Sequence, residues 1–109
     1  MSYDLRIVSD AGELDLRQAR AFLGGPDDGS DELLWTRESL SAAFVLTATE
    51  IGVGIVADAA PQARRARDFE ELLRFLLALA VRIGARVYDP QLDRELGPAD
   101  VAAAVRGFA

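Results

Sequence analysis

Between Leu72 and Val81 the chain carries a single polar residue, Arg74. A helix over this stretch is apolar nearly all round, and such a helix needs cover on more than one side. Phe69, Leu72, Leu73, Leu76, Ala80 and Ile83 recur at helical spacing and form its main buried stripe. Phe75, Leu77 and Leu79 fall outside that stripe. Asp68 stands where an early-turn acid or cap belongs, after a lead-in from Gln62 to Arg67, and Gly84 closes the helix. The apolar surface exceeds what one sheet can cover. The surplus at Phe75 and Leu79 therefore points to self-association as a homodimer.

The flanking segments supply the sheet. Tyr3 to Ser9 alternates, with Tyr3, Leu5 and Ile7 on one side and Asp4, Arg6 and Val8 on the other, the period of a half-buried strand. Leu16, Ala19, Ala21, Phe22 and Leu23 then follow at roughly helical spacing, between Asp15 as N-cap and Gly24-Gly25-Pro26 as stop. Residues 24 to 31 combine turn formers with acids and read as a surface loop. Three strand-like segments come next: Glu32 to Arg37, Ala42 to Thr49, and Ile51 to Ala57. Their short connections make an antiparallel meander the economical reading.

After the long helix, Arg86 to Tyr88 reads as a short strand, Asp89-Pro90 as a turn and Gln91 to Leu96 as an extended edge segment. Gly97-Pro98 opens a last helix with Val101, Ala104, Val105 and Phe108 on one side. The resulting β-α-β-β-β-α-β-α order predicts one α+β domain over residues 1–109. The expected architecture is a two-layer sandwich of ferredoxin-like type: an antiparallel sheet of four to five strands with two main helices on one face.

The opening Met-Ser-Tyr-Asp-Leu, the paired meander strands, the long helix and the ending Val87-Tyr88-Asp89-Pro90-Gln91 resemble a diffuse group of small uncharacterised bacterial proteins. In that group a Met-Ser-Tyr-Asp start and a Tyr-Asp-Pro-Gln-like ending bracket a sheet and two helices. The resemblance implies the fold and brings no catalytic residues. This chain departs from it in the meander, where Ala, Val and Gly replace the aromatic and Asn-rich strands expected of the group.

Residue types that are missing narrow the chemistry. There is no Cys and no His, and all 12 basic residues are Arg. Thiolate nucleophiles, disulfides, zinc sites with Cys or His ligands, imidazole bases and lysine Schiff bases are thereby excluded. Carboxylate, Arg, Tyr and hydroxyl chemistry remains, without a recognisable constellation. Glu38, Glu50 and Asp58 near strand ends are the only carboxylates that invite a catalytic reading, and their spacing does not require them to meet. No catalytic residue, cofactor or metal is assigned. With 18 acids against 12 bases the net charge is −6, which disfavours nucleic acid and steers towards a basic protein partner. The longest strongly apolar run, Phe75 to Val81, is too short to span a bilayer, and the expected location is cytoplasmic with no membrane contact.

Three further features invite a site. Asp27, Asp28, Asp31 and Glu32, with Trp35 beside them, form a candidate partner-binding patch; the spacing lacks the alternating ligands and final bidentate Glu of an EF-hand. Arg64, Arg65 and Arg67, read as lying just before the long helix, are candidates for holding a phosphate or carboxylate, the alternative being a solvated run paired with nearby acids. Gly52-Val-Gly54-Ile-Val-Ala57 matches a dinucleotide fingerprint in letters, but no helix follows at the required place. Gly52 and Gly54 instead read as strand glycines marking a bend or close approach, and leave a small, smooth sheet face open to self-association or to a cover. The expected function is an acidic, non-enzymatic protein-interaction module, for instance an inhibitor or immunity-type protein. The alternatives are a dimeric domain sensing a small anion and a carboxylate-dependent enzyme.

Overall fold

In the computed structural model, which describes residues 2–10, 12–24 and 31–108, the alternating N-terminal segment becomes the inner strand β1 (Ser2–Ser9). β2 (Glu32–Thr36), β3 (Leu40–Leu46) and β4 (Glu50–Ala57) lie on one side of it, β5 (Ala85–Asp89) and β6 (Arg94–Leu96) on the other. All neighbours are antiparallel, in the order β2-β3-β4-β1-β5-β6. The helices are α1 (Leu16–Leu23), α2 (Gln62–Ile83) and α3 (Val101–Phe108), the last entered through a single 3-10 turn at Pro98–Asp100.

The α+β class and the antiparallel sheet match the sequence reading, whereas strand number and order do not. The sheet has six strands rather than four to five, because Arg94–Leu96 pairs with β5 through Val87↔Leu96 and Tyr88↔Glu95. The order is not ferredoxin-like. The turns joining β2, β3 and β4 are too short to cross over another strand, so these three stay neighbours and no second helix unit can interleave with them. Arg37 N donates to Leu40 O at 2.8 Å around Glu38-Ser39, and Thr47 N donates to Glu50 O at 3.0 Å. Those closures also place Ala48 and Thr49 in the second turn, so β3 spans Leu40–Leu46 instead of Ala42–Thr49.

β4 and β5 both run antiparallel to β1 and hence parallel to each other, with α2 bridging them. α2 begins at Gln62, well ahead of Asp68, and stops at Gly84, whose left-handed φ of 67° turns its N–H back onto Ala80 O and Val81 O. Asp68 therefore caps nothing. It is a buried helix residue that accepts from Ser39 N at 2.9 Å and from Ser39 Oγ at 2.6 Å, tying α2 to the β2–β3 turn. Burial pushes its carboxyl up, but the two Ser39 bonds, with Arg67 and Arg37 nearby, hold it below the usual aspartate value of 3.8.

The apolar surplus of α2 is covered within the chain. Leu5, Ile7, Phe44, Ile51, Val53 and Ile55 meet Phe69, Leu72 and Leu76 on the main seam. Leu79 is fully buried, and half-buried Phe75 lies among Phe22 of α1, Trp35 of β2 and Phe44 of β3, with ring centroids 5.0, 6.2 and 6.4 Å away. On the other flank Phe108 of α3 stacks on Phe69 at 4.0 Å, with the Tyr3 ring edge-on to both. Leu79 is thus a core residue with no surface to offer a second copy, and half-buried Phe75 packs against this aromatic cluster of its own chain. Burying one such side chain contributes about 1.5–3 kcal/mol, which favours folding the three helices onto one face of the sheet.

Candidate functional site

With the helices on one side, no described element covers the other side of the sheet. Register places Glu32, Val45, Gly52, Arg6, Tyr88 and Glu95 in one row across it. Leu34, Ala43, Gly54 and Asp4 form the next row. The face divides in two. Over β2, β3 and β4 it carries Leu34, Ala43, Val45 and Val56, and Leu34, Val45 and Val56 are 71%, 47% and 53% exposed. These are three of the five large apolar side chains exposed among the described residues. Over β1, β5 and β6 the face is charged and internally matched. Arg6 reaches Glu50 at 4.0 Å, and Arg86 reaches Asp10 at 2.5 Å and Glu95 at 3.5 Å.

Gly52 and Gly54 lie at the junction of the halves, inside β4, so the fingerprint reading is excluded by its backbone. The close approach expected of them is not found among the described residues. A methyl group added at Gly52 would have Val45 O as its nearest neighbour at 4.0 Å, and one at Gly54 would have Asp4 Oδ1 at 3.9 Å, both ordinary contacts. Among the described residues no helix or loop covers them, and they floor a shallow groove between Val45 and the wall formed by Asp4, Arg6, Pro90 and Gln91.

The acidic patch is only partly visible: Asp27 and Asp28 lie outside the described residues. Asp31 is exposed and pairs with Arg20 at 3.4 Å. Glu32 belongs to the open face, whereas Trp35 points the opposite way, into the aromatic cluster around Phe75, with the Arg37 guanidinium 4.0 Å over its ring. Trp35 is therefore a half-buried packing residue and not a free anchor.

The arginine cluster is inside α2 and not ahead of it. Arg64 pairs with Glu38 at 3.5 Å, the Arg65 Nε is buried without a hydrogen-bond partner among the described residues, and Arg67 bears on Asp68. Arg64 and Arg67, three residues apart, fall on one side of the helix and Arg65 on another, so the three do not converge on one anion. Glu38 and Asp58 are exposed at one end of the meander and Glu50 lies at the other, about 25 Å along β4 at the usual strand rise. Among the described residues no three acids gather to hold a metal ion.

A cluster that pattern reading missed joins the neighbouring strands β1 and β5. Asp89 is fully buried and accepts from Tyr3 Oη, Gln91 N at 2.9 Å, Gln91 Nε2 at 2.6 Å and Leu92 N at 3.2 Å. Burial, then the Asp89 hydrogen bond and charge, push the Tyr3 hydroxyl far above its usual value of 10.0. The signal was present as two short stretches, Ser2-Tyr3-Asp4 and Asp89-Pro90-Gln91, whose meeting only the fold reveals. Beside them a pocket of about 210 Å³ opens between β6 and α3, where Arg94 pairs with Asp100 at 2.7 Å. Its polar groups are already matched to one another, which makes the cluster a structural clasp.

No protein-family model matches this chain, and a search of the curated proteins returns no match. No helix among the described residues is long and apolar enough to cross a membrane.

Proposed function

We propose that this chain is a small acidic protein-interaction module that receives a protein partner on the open face of its sheet. One observation carries the reading: Leu34, Val45 and Val56 stand exposed together around a glycine floor while the opposite face is packed under three helices. Apolar patches rimmed by charge are characteristic of binding surfaces. The net charge of −6 favours a basic partner and speeds its encounter at low salt. In its most concrete form the module is an inhibitor or immunity-type protein that occludes a basic bacterial protein.

The test is quantitative capture from the native cell with the intact chain and with a Val45→Arg, Val56→Arg double variant as matched bait. The reading expects a basic protein enriched by the intact chain and lost with the variant, and its binding to weaken as salt rises. Identical protein sets on both baits would overturn it.

A further inference from the structure

Gly52 and Gly54 lay bare a strip of the open face between two walls. Register puts Val45, Gly52 and Arg6 in one row and Ala43, Gly54 and Asp4 in the next. The side chains of Val45 and Arg6 therefore rise from strands two spacings apart, roughly 10 Å, with only backbone between them. A β-carbon added at either glycine would meet nothing closer than Val45 O at 4.0 Å or Asp4 Oδ1 at 3.9 Å. The strip is the floor of a groove of about 500 Å³. Two glycines weaken an inner strand, and a clear floor for a ligand accounts for them.

Asp4 is the one carboxylate that lines this groove. Its main chain is held in place, since the Gln91 side chain bonds both its N–H, at 3.0 Å, and its C=O, at 2.6 Å. Its exposed carboxylate has no hydrogen bond or ion pair among the described residues. Arg6 does not answer it, because the Arg6 guanidinium lies 4.0 Å from Glu50, which is placed beyond Arg6 from Asp4 along β1. The groove thus joins a flat floor free of side chains to an uncompensated negative charge at its edge.

Resting on the reading of the open face as a partner surface, we infer that the groove receives an arginine side chain of the basic partner, its guanidinium flat over Gly52 and Gly54 and donating to the Asp4 carboxylate. A planar, weakly hydrated fork lies against peptide planes and pairs with a carboxylate through two N–H bonds, whereas the compact ammonium of lysine stays strongly hydrated. The apolar stem of the arginine runs beside Val45. An anion is disfavoured, because Asp4 repels it and Glu50 already neutralises Arg6.

The probe is the end-blocked peptide Val-Thr-Arg-Thr-Val, titrated into the full chain and followed by the amide NMR signals of the protein. Alternation puts both valines and the arginine on one side of the extended peptide. Saturable shifts are expected at Gly52, Gly54 and Asp4, with affinity falling as salt rises. The citrulline counterpart, alike in shape but uncharged, should bind about tenfold more weakly, and so should the arginine peptide on Asp4→Asn. Asp4→Asn should melt at the parent temperature, since that carboxylate has no partner among the described residues. Gly54→Ala should also fold as the parent and bind the peptide more weakly, because its methyl group stands on the floor. Equal shifts with the citrulline peptide, full affinity on Asp4→Asn, or no saturable shift with the arginine peptide overturns the inference. Asp4→Asn as a third bait separates it from the wider reading. A basic partner kept by Asp4→Asn but lost with the Val45→Arg, Val56→Arg double variant removes the arginine subsite and leaves the interaction module standing. Arginine binding that needs Asp4, with identical protein sets on all baits, does the reverse.

Discussion

The Gln91 side chain takes the place of a strand residue opposite Asp4. Its Nε2 donates to Asp4 O at 2.6 Å and its Oε1 accepts from Asp4 N at 3.0 Å. Continuing the β1–β5 register would put Pro90 there, and proline has no N–H to give. The side-chain amide supplies both the donor and the acceptor that the strand has lost, and Asp89 holds it in position.

Gln91→Ala removes that pair and one of the bonds to buried Asp89. A loss of about 1–2 kcal/mol is expected from the urea midpoint, with the slope unchanged. A variant as stable as the parent would show that water replaces the amide without cost.

Asp68 makes stability fall in acid. Its folded value lies below the 3.8 of a free aspartate, so the unfolded chain takes up the proton first as pH drops. The contribution is complete above pH 3.8 and is lost as pH falls through the folded value. Asp68→Asn should cost about 1–3 kcal/mol at neutral pH and flatten the acid limb of a stability–pH curve.

Tyr3 acts at the other extreme. Its folded value is raised, so stability is complete below pH 10.0 and declines as pH rises further, where the unfolded chain releases a proton that the folded chain keeps. The Tyr88 hydroxyl, raised first by its bond to Asp93, contributes with the same sign. Tyr3→Phe should weaken that alkaline decline, read by thermal melting above pH 10.0, while lowering stability at neutral pH because Asp89 loses a donor.

Phe75→Ala opens a space between Phe22, Trp35 and Phe44 and should cost about 2–4 kcal/mol by thermal or urea unfolding. Val81→Ser, on the same helix but 83% exposed, should stay within about 0.5 kcal/mol of the parent. Equal losses would contradict the packing described.

Gly54→Ala should be neutral or stabilising by about 0.5–1 kcal/mol, since a strand glycine carries an entropy penalty and the added methyl group meets only Asp4 Oδ1 at 3.9 Å. A marked loss would contradict that clearance around Gly54.

The sequence by itself determined the local structure: the alternation of Tyr3 to Ser9, the Asp15 and Gly24 ends of α1, the meander and the all-round apolarity of α2 follow from spacing and turn chemistry within a few residues. It also determined the chemistry that is ruled out, since a chain without His or Cys cannot acquire either by folding. Tertiary structure decided the rest. Each of these outcomes depends on partners far apart in the chain, which periodicity cannot register. Placing β1 between β4 and β5 brought Tyr3 to Asp89 and Asp4 to Gln91. The β2–β3 turn brought Ser39 onto Asp68, turning an expected cap into a buried tether. The apolar excess of α2 was legible, but what covers it was not. α1 and α3 close over it on the face that holds the aliphatic and aromatic side chains, because that packing removes most apolar surface from water. The glycine-bearing face, with little to bury, was left open.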